Sequence, residues 1–223
     1  MSNRYLEPIV QALGNALHQP ILIAALLVGV VLLCLRLVPK GKRGELAVTA
    51  AKKLTVDGKV YRDLNNVTLA TPTGTTQIDH VIVSRQGIFV IETKNMAGWI
   101  FGSENQPRWT QRMGSGATHQ FQNPLHQNAR HVRVLKEFLG VPDEALHSIV
   151  VFIGEAELKS PLPDNVMTGG FIPYIKAETS EVFTPDEVED IVQRLQAGRM
   201  APGRKTDKAH LGSLAQRHGR KQA

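Results

Sequence analysis

The 223-residue chain holds a single cysteine, Cys34. That count excludes an intramolecular disulfide framework and any cysteine-based zinc site, and it agrees with a reducing compartment. No internal repeat is present, and no base-reading motif is visible. Formal charge is absent from residue 8 to residue 35. A net basic charge, although the chain totals +6, is also missing where a folded domain would sit. Residues 198–223 carry seven Lys/Arg and one Asp, residues 36–43 carry four Lys/Arg and no acid, and residues 44–197 carry 14 basic against 18 acidic side chains. The high pI therefore describes a tail and a short juncture, and it says little about what the domain binds.

The charge-free stretch has a physical reading of its own. Residues 20–38 (PILIAALLVGVVLLCLRLV) are almost wholly apolar. At 1.5 Å per residue, about 18–20 residues span the ~30 Å hydrocarbon core. A cleaved signal peptide carries its basic residues ahead of the apolar run and a small-x-small site behind it. Here Arg36, Lys40, Lys42 and Arg43 follow the run, and no Ala-x-Ala occurs. A core helix apolar on every face does not suit a domain this small. The pattern predicts one uncleaved transmembrane helix over 20–38, with the chain beyond it on the cytoplasmic side of the cell inner membrane. Residues 1–19 form an amphipathic segment ahead of it, with Leu6, Ile9, Val10, Leu13, Ala16 and Leu17 at helical intervals.

The soluble domain is expected over 41–197, followed by a basic disordered tail over 198–223. Residues 45–54 have helical spacing. Residues 59–64 and 66–71 read as short extended pieces split at Asn65-Asn66. Residues 75–84 and 88–93, rich in Val, Ile and Phe, are the strongest strands. Residues 98–102 and 108–111 suggest a hairpin with a Trp in each half. Asn123-Pro124 opens a helix to about 138, with Leu125, Ala129, Val132, Leu135 and Phe138 inward. Residues 148–153 (SIVVFI) read as a strand buried on both faces, and 170–176 as a last strand. Thr184-Pro185-Asp186-Glu187 is a capping box opening a final helix. The order predicts an α/β fold, a mixed central sheet flanked by helices.

Within this frame, QIDHVIVSRQGIFVIETKN (77–95) brings acids to the ends of buried strands. Phosphodiester hydrolysis assisted by a metal ion needs carboxylates to hold a divalent cation and a group that positions water. Asp79 and Glu92 offer carboxylates, and the Thr93 carbonyl is a candidate third oxygen. Lys94 follows Glu92 by two residues, so both emerge on one strand face. Asp79 joins that face only if the connecting loop holds an even number of residues. A Gln86-Gly87 turn would set Arg85 against Ile88 and Asp79 against Lys94.

These stretches resemble the nuclease-related domain (NERD) family of the PD-(D/E)xK nuclease-like superfamily. The matching residues are Gly44-Glu45, Gln77-Ile78-Asp79-His80, Gly87 through Asn95, Gly98, Trp109, and Asn123-Pro124 with Gln127 and His131. The resemblance covers about residues 41–140. It implies a restriction-endonuclease-like core and catalytic Asp79, Glu92 and Lys94. Glu45 enters as a further acidic, metal-holding contributor and Gln127 as an auxiliary polar group. It also implies Mg²⁺ or Mn²⁺ as cofactor and nucleic acid, DNA ahead of RNA, as substrate. Of the residues nearby, His131 and Gln127 lie i, i+4 on one helix face, where a solvated polar face is the plainer reading of His131. His80 points to the opposite strand face and reads as structural. Trp99 and Trp109 read as core or sheet cover. The tail is a solvated extension, with anionic lipid or nucleic acid as its candidate contacts. Two functions stand at this point: a membrane-anchored metal-dependent nuclease, or a catalytically silent membrane-tethered binding or scaffold module.

Overall fold

The computed structural model describes residues 60–201 and, outside that range, Gly58, Thr206 and Gly212. They belong to the second of two units into which the chain divides, Thr49–Ala223. The expected segments 1–19 and 20–38, the helix over 45–54 with Glu45, and most of the tail lie outside the described residues. Among the described residues no helix is long and apolar enough to cross a membrane.

The fold is mixed α/β, built on two mixed sheets. The larger has the order β1-β2-β3-β7-β9, formed by β1 (Arg62–Thr71), β2 (Gly74–Ser84), β3 (Gly87–Asn95), β7 (Leu146–Ile153) and β9 (Val166–Thr168). Its first three strands are antiparallel, and β3-β7 and β7-β9 run parallel. The smaller has the order β6-β5-β4-β8, formed by β4 (Gly98–Phe101), β5 (Arg108–Arg112), β6 (Thr118–Gln122) and β8 (Ala156–Leu158). Helices α1 (Pro124–Leu139) and α3 (Pro185–Gly198) pack Leu135, Leu139, Val188, Ile191, Val192 and Leu195 onto one face of the larger sheet. Val81, Val83, Ile88 and Val90 meet them there. A second core joins the sheets through Trp109, Phe121 and Phe152, with the Trp109 and Phe152 rings stacked 6.1 Å apart.

Local chemistry explains most of these elements. The Asn123 side chain accepts from Leu125 N at 2.9 Å and opens α1, which closes at Gly140 in the left-handed region. Thr184 and Glu187 form the reciprocal capping box of α3. Strand β7 is buried at every position from Ile149 to Ile153, as its unbroken apolar run demands.

Four expectations are corrected. Residues 59–64 and 66–71 are not two pieces, because Asn66 takes φ 51 within one strand, β1. Residues 170–176 are not a strand, since Phe171–Ala177 forms the short helix α2 behind two glycines at positive φ. Helix α1 does not turn Ala129 and Phe138 inward. Its buried residues are Pro124, Asn128, His131, Leu135 and Leu139, so two polar side chains face the sheet. Finally, the β2-β3 turn is Arg85-Gln86, because Ser84 pairs with Gly87. Gly87 carries the positive φ, 134, and a Cβ there would lie 2.7 Å from His147 Nε2 and 2.9 Å from the Ala145 carbonyl. The glycine is needed both for that positive φ and for the close approach, one position beyond the turn pair.

Asn128 ties the layers together. Its Nδ2 donates to the Val90 carbonyl at 2.8 Å, to Ser148 Oγ at 2.9 Å and to the Ile149 carbonyl at 3.1 Å. It thereby fastens α1 to both β3 and β7. Asn128→Ala removes the donor and leaves buried acceptors stranded, an expected loss of about 2–3 kcal/mol. Urea unfolding monitored by circular dichroism checks this; a loss below about 0.5 kcal/mol contradicts it.

Candidate active site

Glu92 sits on β3, between β2 and β7, and is 2% exposed. A carboxylate so deeply buried requires compensation. Lys94, on the same strand face, donates to Glu92 Oε1 at 2.6 Å and to Gln127 Oε1 at 2.9 Å. Gln127 arrives from the first turns of α1, one turn ahead of His131. His131 Nε2 stands 3.3 Å from Glu92 Oε2, an ion-pair distance without hydrogen-bond geometry. His131 Nδ1 is held 2.8 Å from Thr76 Oγ1. Glu92 Oε2 is thus a buried oxygen with no hydrogen-bond partner.

Asp79 reaches this region by a different route from the one expected. The β2-β3 ladder ends at His80↔Ile91, which brings Asp79 level with Glu92 and not with Lys94. Strand alternation also slips here. Ile78 belongs to the same core cluster as Val81 and Val83, and on β1 Leu64 and Val67 belong to it three residues apart. Asn66 and Asp79 occupy the unpaired position between the regular stretches of β1 and β2. An even loop therefore does not suffice to put Asp79 on the Glu92 face. Instead, Asp79 Oδ2 accepts from Thr93 N at 2.9 Å and from Thr93 Oγ1 at 2.6 Å, replacing a ladder acceptor where the strands separate.

The two acids are driven in opposite directions. Burial, then repulsion from Glu92, pushes the Asp79 carboxyl above its ordinary value against the Thr93 bonds and Lys94. Burial also disfavours the Glu92 charge, but His131 and Lys94 together outweigh it and hold Glu92 below its ordinary value.

The structure thus brings Asp79, Glu92, Lys94 and Gln127 into one neighbourhood, while Glu45 lies outside the described residues. Among the described residues no three His, Cys, Asp or Glu side chains group as a metal cluster. The oxygen donors present, with Glu92 Oε2 unbonded, suit part of a hard-cation site. Thr76 is the residue that sequence reasoning left out, and His131 reads in the sequence as part of a solvated polar face. The signals for His131 were its place in the family match and its i, i+4 spacing from Gln127. His80 bonds Asn65 across β1-β2, away from Glu92. Trp109 is core, but Trp99 is 43% exposed, contrary to expectation.

The chain belongs to the NERD family: the family model, nuclease-related domain, matches residues 40–153. A stretch of 98 residues is 47% identical to an uncharacterized protein of Bacillus anthracis, covering 44% of this chain and 45% of that protein. The chain thus spans less than half the length of the curated relative it matches. No solved structure matches the chain.

In chelator, Asp79→Asn, which keeps an oxygen for Thr93, is expected to raise the melting temperature at pH 7. Its advantage should shrink as acid protonates wild-type Asp79, beginning above the ordinary value of 3.8. Glu92→Gln should instead cost on the order of 3 kcal/mol at pH 7. That cost should fade as pH drops below 4.5 and through the lowered native value of Glu92. Thermal melts from pH 3 to 8 check both signs, and variants of equal stability across the range would contradict them.

Proposed function

We propose that this member of the NERD family is a divalent-metal-dependent nuclease that hydrolyses phosphodiester bonds of nucleic acid. The observation that carries the reading is the pairing of Lys94 with Glu92 and Gln127 beside a buried, unbonded Glu92 oxygen. Asp79 and Glu92 would hold Mg²⁺ or Mn²⁺, with Glu45 as a further acidic donor. When bound, such an ion polarises a phosphoryl oxygen and lowers the pKa of water. Lys94, with its side chain 21% exposed, presents the outer end of the group. Its ammonium would donate to one lone pair of a water oxygen, leaving the other to face the phosphorus, and would offset charge growing on the phosphate. Gln127 fixes the direction of Lys94, and His131, braced by Thr76, keeps Glu92 ionised and in place. Thr93 holds the Asp79 carboxylate at the point where β2 and β3 separate.

The reading includes a membrane tether at 20–38 with the domain on the cytoplasmic side. Its support is the charge-free apolar run followed by Arg36, Lys40, Lys42 and Arg43. Release of the chain from membranes by alkaline washing would remove the tether from the account.

The 223-residue chain with Mg²⁺ or Mn²⁺ should cleave labelled DNA or RNA. Asp79→Asn and Lys94→Met should each lower the rate by about 10²-fold or more. Equal activity in the variants would overturn the assignment. No cleavage together with no heat of Mn²⁺ binding would favour the silent, membrane-tethered binding module.

A further inference from the structure

We infer that the open face of the β6-β5-β4-β8 sheet is a platform for single-stranded nucleic acid, an inference that takes its occupant from the nuclease reading. The pairing separates the two faces of this sheet. Ile100 and Trp109, fully buried, turn into the core with Phe152 and Phe121. Trp99 pairs with Arg112, Phe101 with Thr110, and Arg108 with Gln122 on the other face. There Trp99 is 43% and Phe101 36% exposed. The Arg112 guanidinium stands 5.8 Å and Lys159 Nζ 5.4 Å from the centre of the Trp99 ring. Lys159 also pairs with Glu157 at 2.6 Å, and Arg108 Nη2 donates to the Gln120 carbonyl at 3.1 Å.

Charge and spacing select the occupant. Arg108, Arg112 and Lys159 against Glu157 give this face +2, whereas residues 44–197 as a whole carry 14 basic and 18 acidic side chains. A cationic, aromatic face on an otherwise acidic domain complements a polyanion with stackable rings. Trp99 and Phe101, two residues apart on β4, are separated by about 6.8 Å of strand rise. That is twice the ~3.4 Å step of a duplex strand, so successive bases can stack only if the strand is extended and unpaired. Strand β4 also begins four residues beyond Lys94, which places the platform on the chain immediately after the candidate catalytic strand.

The test is fluorescence anisotropy of the 223-residue chain with labelled oligothymidylate of about 20 nucleotides and a duplex of equal length, in chelator so that nothing is cleaved. The single strand should bind more tightly than the duplex and quench tryptophan emission, to which buried Trp109 supplies the unchanged background. Trp99→Ala should weaken binding about tenfold. Arg108→Gln with Arg112→Gln should flatten the slope of log affinity against log salt by roughly 0.7 per arginine. Thermal melting checks the fold of each variant, and the arginine pair and the wild-type quench decide the matter if Trp99→Ala unfolds. Unchanged affinity in both variants, preference for duplex, or no binding at all overturns the platform. Cleavage lost in Asp79→Asn while Trp99→Ala binds normally removes the platform and keeps the nuclease reading. Binding lost in Trp99→Ala while Asp79→Asn cleaves normally does the reverse.

Discussion

The structure around the site depends on one constraint: the Glu92 carboxylate is ionised inside a sheet. An uncompensated charge at 2% exposure would cost several kcal/mol. Each neighbouring feature answers that cost. Lys94 comes from the same strand, two residues on, and Gln127 Oε1 accepts a second hydrogen bond from its ammonium. His131 covers the second oxygen at ion-pair distance, and Thr76 turns the imidazole. Helix α1 consequently presents His131 to the sheet, where a helix serving only a core would present a leucine.

The compensation is unequal by design of the chain. Glu92 Oε1 accepts from Lys94, while Oε2 lies 3.3 Å from His131 Nε2 with no hydrogen bond. Asp79 is oppositely placed, with burial and Glu92 raising its proton affinity. Two carboxylates at one end of a strand pair, one favoured and one disfavoured as ions, form a site that gains from added positive charge. The slip in alternation at Asn66 and Asp79 serves the same end. It opens the β2-β3 ladder just where Thr93 needs an acceptor, and the Asp79 carboxylate supplies it.

Much of this was legible. The runs at 75–84 and 88–93 specify paired strands through their Val, Ile and Phe content, and Asn123-Pro124 and Thr184-Pro185 mark two helix starts. SIVVFI at 148–153 announces a strand buried on both faces, and the structure pairs it parallel to β3. What the sequence concealed has physical causes. Phe171, Ile172, Tyr174 and Ile175 favour strands by propensity, yet pack three side chains inward as one short helix. Strands β6, β8 and β9, of three to five residues, carry no periodicity of their own. His131 looked like part of a solvated polar face because local spacing cannot reveal a carboxylate on a distant strand. Gln86-Gly87 looked like the turn because glycine there could equally serve a turn or a close approach. Trp99 looked like sheet cover because a strand of four residues shows its sidedness only through its partners.

We propose Glu92 and Asp79 as the oxygen side of a cation site. A crystal of the chain soaked in Mn²⁺ and measured at the manganese absorption edge tests this most directly. The expected result is an anomalous peak bonded to Glu92 Oε2 and to a carboxylate oxygen of Asp79, with Lys94 still within hydrogen-bond reach of the site. A crystal with no peak there at saturating Mn²⁺, or with the ion held by other residues, would contradict it.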